Sequence, residues 1–289
     1  MPEILHASNT PYIPLSLTHR GPGLSFKHLF LGTEQTSENY LFSLAHQSTF
    51  YSPRHKHNFD QFRFAYRNSV SISPDILLQE GELCYHPEGV EYGPQDDPEG
   101  GREVLVLQFG GASGQGYLSF GEIERAQGIL KRRGVFVGGR FFEGDSVEGL
   151  EGEGKGKGKD GYEALWEEMM GRELVYPVPR YGGPVVVKPE GFAWVGVAEG
   201  EGTAAWRKCL GVFSERETRV EMVKLDEGGE VVVEGRDAIQ LFFVLKGEGR
   251  VDGEEVRQES AVRLQPGDGA EFASEKGMEF LRFVLPMLR

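Results

Sequence analysis

Glycine and proline interrupt this chain so often that long regular helices are excluded over most of it: 41 Gly and 15 Pro fall within 289 residues. Between them lie short strand-like runs, among them Leu41–Leu44, Phe62–Tyr66, Val104–Phe109, Val220–Leu225, Leu241–Leu245 and Phe280–Leu285. Many short strands bounded by turn residues predict an all-β sandwich or barrel. The middle of the chain departs from this pattern. Ser119–Arg133 sets Phe120, Ile123, Ala126, Ile129 and Leu130 on one side of a helix, and Tyr162–Leu174 is a second helical stretch. Between them Gly149–Gly161 (GLEGEGKGKGKDG) has no apolar payload and predicts a flexible surface loop.

The strand-rich halves repeat. A shift of 179 positions lays Gln61 on Gln240, Phe64 on Phe243, Arg67 on Lys246, Val70 on Gly249 and Pro87 on Pro266. Leu41 and Leu44 fall on Val220 and Val223, and Asn68 falls on Gly247, two residue types that tolerate a left-handed turn. The alignment runs from Leu41 to Pro87 without a gap and predicts two copies of one fold. It divides the chain into an N-terminal barrel over 1–118, a helical and Gly-rich connector over 119–185 and a C-terminal barrel over 186–289.

The halves differ in chemistry. All seven histidines (His6, His19, His28, His46, His55, His57, His86) lie in the first 86 residues, so a histidine-based site belongs to the N-terminal half. A net charge of −14 argues against nucleic acid or an anionic membrane surface as partner. No apolar run approaches the roughly 20 residues of a membrane span. The opening MPEILHASNTPYIP lacks a secretory pattern, and two cysteines, Cys84 and Cys209, fit a reducing compartment, so a cytoplasmic location is expected.

Two motifs of the first half resemble those of the cupin superfamily, and the two halves together resemble a bicupin. The family's first motif, G-x5-H-x-H-x3,4-E-x6-G, falls on Thr49, His55, His57, Gln61 and Asn68. Its second, G-x5-P-x-G-x2-H-x3-N, falls on Gly81, Pro87, Gly89, Tyr92 and Asp96. Spacing is kept throughout, while the first Gly, the Glu, the second Gly, the last His and the Asn are replaced. The resemblance covers roughly residues 24–110 and 186–289. It implies two cupin-type β-barrels with short helical connections, an all-β fold that hosts many chemistries.

The resemblance also implies one divalent metal, Fe, Mn, Zn or Ni, in the N-terminal barrel. Alternate strand residues share a face, so His55 and His57 project together as two ligands of one ion must. By position, Gln61 and Tyr92 take the places of the family's Glu and last His, one as a neutral carbonyl donor, the other as a phenol. The competing reading makes the histidines hydrogen-bonded pocket residues without metal. In the second copy Glu234, Arg236, Gln240 and Glu271 stand at these positions, which predicts no metal there and a structural role.

Further candidates surround this set. Arg63 shares the face of Gln61 and Ala65 and is placed to bind a carboxylate, phenolate or enolate oxygen; the alternative is a surface Arg paired with Asp60. Asp60 is a candidate general base, with an exposed acid at a strand bend as the plainer reading. Tyr85 and His86 point to opposite faces, so one of them lines the pocket. Cys84 reads as a small core residue. The glycines of Phe109–Tyr117 do not form G-x-G-x-x-G, and no nucleotide cofactor is expected.

These readings converge on a metal-dependent enzyme of the oxygenase type acting on a small, partly aromatic molecule. Tyr92 is either a fourth ligand or an acid/base. An isomerase, lyase or cyclase using Lewis-acid or metal-free chemistry is the second reading, and a non-catalytic small-molecule binder the third. A homodimer is a candidate assembly.

Overall fold

A computed structural model describes residues 1–15, 22–144, 158–197 and 204–286. Each strand-like run named from the sequence falls in a strand, except that Leu285 lies one residue past the end of Met278–Val284. In the N-terminal half the strands Val185–Val187, Leu83–His86, Asp60–Arg67, Arg102–Phe109, Tyr40–Gln47, Leu24–Leu31 and Ile13–Pro14 neighbour one another in that order, antiparallel throughout. An antiparallel pair, Phe50–Ser52 with Gln95–Asp97, and a hairpin, Val70–Ser73 with Ile76–Leu78, supply its other strands. The C-terminal half repeats the order with Glu3–His6, Ser260–Leu264, Gln240–Val251, Met278–Val284, Arg219–Leu225, Ala205–Val212 and Val195–Gly196.

Strand alternation sorts the side chains into two environments per barrel. In the first, Phe26, Ala45, Ala65, Cys84, Val104 and Val106 face inward. The second is filled by Phe242, Val244, Val262, Phe272 and Phe280. The opposite faces pack together between the barrels, with Phe42, Phe62, Phe64 and Tyr85 from one half against Phe213, Leu241, Phe243 and Phe283 from the other. Phe62 stacks edge-on to Phe213 at 5.1 Å between ring centroids. Burying both sheet faces is what makes these strands read as nearly continuous apolar runs.

The boundaries differ from the sequence expectation at both ends. Glu3–His6 pairs with Ser260–Leu264 in the C-terminal barrel, and Val185–Val187 pairs with Leu83–Tyr85 in the N-terminal one. Each half thus lends the other an edge strand.

The ungapped shift of 179 also needs correcting. It holds for Asp60–Arg67 and Gln240–Val251, where Gln61 and Gln240 both face inward and Asn68 and Gly247 both take left-handed φ, 61° and 78°. It fails one strand away. Leu41 and Val220 lie on opposite faces, as do Leu44 and Val223. Cross-strand pairing sets the true match: Ser43 with Glu221, His86 with Leu264, Val106 with Arg282 and Gln108 with Val284. A one-residue slip inverts a strand's faces, so apolar identity alone could not place it.

The helices appear at Phe120–Leu130 and Gly161–Met170. Ser119 starts the first with a capping box: its hydroxyl accepts from Glu122 N at 3.1 Å, and the Glu122 carboxylate accepts from Ser119 N at 2.8 Å. Asp160 caps the second, and Gly171 ends it with φ 64°. That cap corrects the loop expectation. Lys159–Asp160 pairs with Arg140–Phe141 and Gly161 opens the helix, while 149–157 lie outside the described residues. No helix among the described residues is long and apolar enough to cross a membrane.

Candidate functional site

The site is built by backbone bonds between the two motif segments. His55 and Tyr92 exchange both N–H···O bonds at 3.0 Å, an isolated antiparallel bridge. Gly89 donates its N–H to the His57 carbonyl at 2.7 Å. Gly89 has φ 77°, and a Cβ there would lie 2.4 Å from the Pro177 carbonyl oxygen, so only glycine fits. His55 and His57 therefore stand side by side because of a bridge and a turn, not because they occupy a regular strand. Their ring centroids are 4.8 Å apart.

Tyr92 lies at the centre of the histidines. Its ring centroid is 4.4 Å from His55, 5.7 Å from His57 and 4.3 Å from His86, and its hydroxyl lies 3.3 Å from His57 Nδ1. His57 stacks on Phe59 with centroids 4.3 Å apart and meets Tyr162 edge-on. Tyr162 comes from the second helix, and its hydroxyl donates to Asn58 Oδ1 at 2.8 Å. The connector thus forms part of the site wall. The sequence reading missed Phe59 and Tyr162; alternation from His57 would have pointed to Phe59, whereas nothing local pointed to Tyr162.

His86 resolves the choice between Tyr85 and His86. It pairs with Gln61 across the sheet and faces the barrel interior, 2 % exposed, with neither ring nitrogen hydrogen-bonded. Burial first, then the charges of Arg63 and His55, hold its pKa well below the ordinary histidine value, so the ring is neutral. Tyr85 lies on the other face, in the core between the barrels. Its hydroxyl donates to Asp60 Oδ1 at 2.9 Å. Asp60 points the same way and also accepts from Glu88 N at 2.9 Å. Neither Asp60 nor Tyr85 reaches the histidine cluster, which corrects both expectations; nor is Asp60 the exposed acid of the plainer reading. The cause is parity: Asp60 and Phe62 share the face opposite Gln61 and Arg63.

Gln61 is fully buried at the end of a relay. The Tyr117 hydroxyl donates to Gln108 Oε1 at 2.9 Å, and Gln108 Nε2 donates to Gln61 Oε1. Its oxygen is thus engaged, and its Nε2 is turned to the interior without a partner. Reversing both amides keeps both bonds, with the Tyr117 hydroxyl accepting, and turns the oxygen inward instead. Arg63 is half-buried with Nε and Nη1 unpartnered and makes no ion pair with Asp60. Cys84 is fully buried, its thiol pushed up to about 12 by burial, as a core residue should be.

Whether these groups suit a divalent metal follows from their donor chemistry. His55 Nδ1 donates to the Pro53 carbonyl at 2.6 Å, which leaves Nε2 as the ring's acceptor nitrogen, the arrangement that a metal-ligating imidazole requires. The adjacent His57 completes a pair. No three His, Cys, Asp or Glu side chains among the described residues are grouped to hold an ion. Two adjacent imidazoles fit a divalent ion as a partial donor set, to which the Tyr92 hydroxyl beside His57 can add an oxygen.

In the second barrel the same backbone carries no such cluster. Gly267 N donates to Arg236 O at 2.7 Å, the counterpart of the Gly89 bond, but Glu234, Arg236 and Glu271 are exposed. Inside, Arg282 donates to Glu221 at 2.8 Å and to Gln240 Oε1 at 3.0 Å, so the polar groups satisfy one another.

No protein-family model matches the chain, and no curated protein matches it. Solved structures do. A provisional dioxygenase from Nostoc punctiforme superposes over 100 % of this chain and 84 % of its own at 11 % identity, with a TM-score of 0.64. The bacterial pirin of Escherichia coli in complex with nickel(II) covers 99 % of both chains at 9 % identity and 0.54. Oxalate decarboxylase from Bacillus subtilis covers 97 % of this chain and 75 % of its own at 15 % identity and 0.53. With two barrels in one order of strands, and the motif turn present in each, the chain has the bicupin fold.

Proposed function

We propose that the N-terminal barrel is the working site of a metal-dependent enzyme acting on a small, partly aromatic molecule. The observation that carries this reading is the convergence of His55, His57 and the unpartnered His86 on Tyr92. His55 and His57 would hold the ion. A divalent metal there supplies Lewis-acid polarisation of a substrate oxygen and, with Fe or Mn, redox chemistry of the oxygenase type. Structures of the same fold with nickel(II), or with Fe(II) in Streptomyces albus HEPD, support this reading. The Tyr92 hydroxyl lies 3.3 Å from His57 Nδ1; with His57 Nε2 on the ion, Nδ1–H donates to the phenol oxygen and leaves the phenolic proton for exchange with a substrate oxygen. His86 stays neutral in the same space and can donate or accept one hydrogen bond. Phe59 and Tyr162 exclude water from one side of His57.

The donor set has no carboxylate. That favours an isomerase, lyase or cyclase, which needs only a Lewis acid or an acid/base pair, as the second reading. Elemental analysis of the purified protein and of His57→Ala tests the metal. About one Fe, Mn, Ni or Zn per chain, lost in the variant, is expected. No metal in either after incubation with each ion overturns the metal reading.

A further inference from the structure

The two barrels solve the same interior problem differently. At one level of the sheet each carries an inward arginine, on neighbouring strands: Arg63 pairs with Val106, and Phe242 pairs with Arg282. In the second barrel the next strand places Glu221 beside Arg282 at 2.8 Å, and the same carboxylate also faces the more exposed Arg207 at 3.6 Å. In the first barrel the position of Glu221 is held by Ser43, whose buried hydroxyl has no partner. Arg63 Nε and Nη1 are likewise buried and unpartnered. Two fully buried neighbours on the same inward face repeat the pattern, Gln61 Nε2 and both nitrogens of His86.

A cation with unmet donors is costly to bury unless an acceptor arrives to meet them. The carboxylate nearest in charge, Asp97, is already engaged by Gln47 Nε2 at 2.8 Å, by Ser71 N at 2.8 Å and by Arg102 at 3.8 Å. Arg63 therefore has Ser43 at its level of the sheet where Arg282 has Glu221, and Asp97, a buried carboxylate of its own barrel, is committed to other donors. A planar guanidinium beside a primary amide matches a carboxylate, and the residues next to Arg63 on its face of the sheet are apolar: Val106 and Cys84 across the strands and Ala65 along its own.

We propose that the N-terminal barrel binds a small carboxylate with an apolar body, anchored by Arg63 and hydrogen-bonded by the Gln61 amide. The incoming carboxylate takes the place that Glu221 holds in the other barrel. In this orientation Gln61 serves the anion rather than the metal. The proposal rests on the reading of this barrel as a small-molecule site and names the class of its ligand.

Benzoate and its neutral isostere benzamide are the probes, added to the purified full chain while thermal stability and calorimetric affinity are measured. Benzoate should raise the melting temperature and benzamide should not. Arg63→Met should weaken benzoate about tenfold or more, and Arg63→Lys, which keeps the charge, should retain part of it. Equal responses to the two probes, no response to benzoate, or an Arg63→Met protein that binds as the wild type does overturns the proposal. Should Arg63→Met not fold, the benzoate–benzamide contrast in the wild type and the Arg63→Lys response decide it. Metal content of the same samples separates the two readings. Benzoate binding without metal sinks only the metal enzyme, and metal without benzoate selectivity sinks only the carboxylate site.

Discussion

Gly267 donates its amide to the Arg236 carbonyl at 2.7 Å, although nothing around it performs the task that the matching Gly89–His57 bond performs. The turn is a device of barrel closure, and the side chains it presents are free to change. One copy kept histidines at the turn and an unmatched arginine inside. The other turned the same positions to solvent and closed its interior with a Glu–Arg pair. Function is therefore argued from the site and not from the barrel that carries it.

The two turns should respond differently to a methyl group. Gly267 has φ 89° and open space where a Cβ would go, so Gly267→Ala should cost only left-handed strain, about 1–2 kcal/mol. Gly89→Ala adds a backbone collision with Pro177 O at 2.4 Å and should cost clearly more. It should also reduce metal content, because His57 hangs on that turn. Denaturant melts and elemental analysis of both variants check this; equal destabilisation with metal retained would remove the turn from the site's construction.

Tyr92→Phe separates ligation from proton transfer. The ring contacts with His55 and His86, at 4.4 and 4.3 Å, survive the change, so stability should fall by less than about 1.5 kcal/mol. If the phenol works beside the metal, metal content is unchanged and turnover is lost once a substrate is in hand. A fall in metal content comparable to that of His57→Ala would make the phenol a ligand.

Much of this was legible in the sequence, and the failures have physical causes. Alternation placed Gln61 and Arg63 on one face and Phe62 and Phe64 on the other, as the structure does. The same alternation, carried one residue back, already put Asp60 on the wrong face for the histidine cluster. The neighbouring strands were misregistered because a one-residue slip preserves hydrophobicity while inverting direction. The exchanged edge strands, Glu3–His6 and Val185–Val187, left no trace in composition: their partners lie far along the chain. Tyr162 was invisible as a site residue for the same reason.

Asp60 should set a slope of stability against pH. Burial, and to a lesser degree the charge of Glu88, push its carboxyl up to about 7, against the lowering effect of the Glu88 N and Tyr85 hydroxyl bonds; Oδ2 has no partner. A raised pKa means the folded protein binds the proton more tightly than the unfolded chain does. The stabilisation is therefore complete below about pH 4 and lost as pH rises toward 7 and above. The full effect is on the order of 4 kcal/mol. Asp60→Asn should flatten this dependence and be the more stable protein at pH 8. Chemical denaturation between pH 5 and 8 reads it directly, and parallel curves for the two proteins would place the titration elsewhere.

Deleting residues 1–9 should injure the barrel at the far end of the sequence. The segment pairs Glu3–His6 with Ser260–Leu264, buries Ala7 completely, sets His6 Nδ1 2.8 Å from Ser260 Oγ and ion-pairs Glu3 with Arg263. Its loss strips a strand of hydrogen bonds from the Ser260–Leu264 edge and uncovers Val262 and Leu264, which fill the second barrel. An unprotected apolar edge pairs with other chains. The truncated protein should melt several degrees lower and associate as concentration rises, seen by calorimetry and size-exclusion chromatography. Metal content, held by His55 and His57 on the other barrel, should remain. An unchanged melt and elution would mean that the exchanged strand adds nothing to the second barrel, and loss of metal would mean that the two barrels do not hold their sites independently.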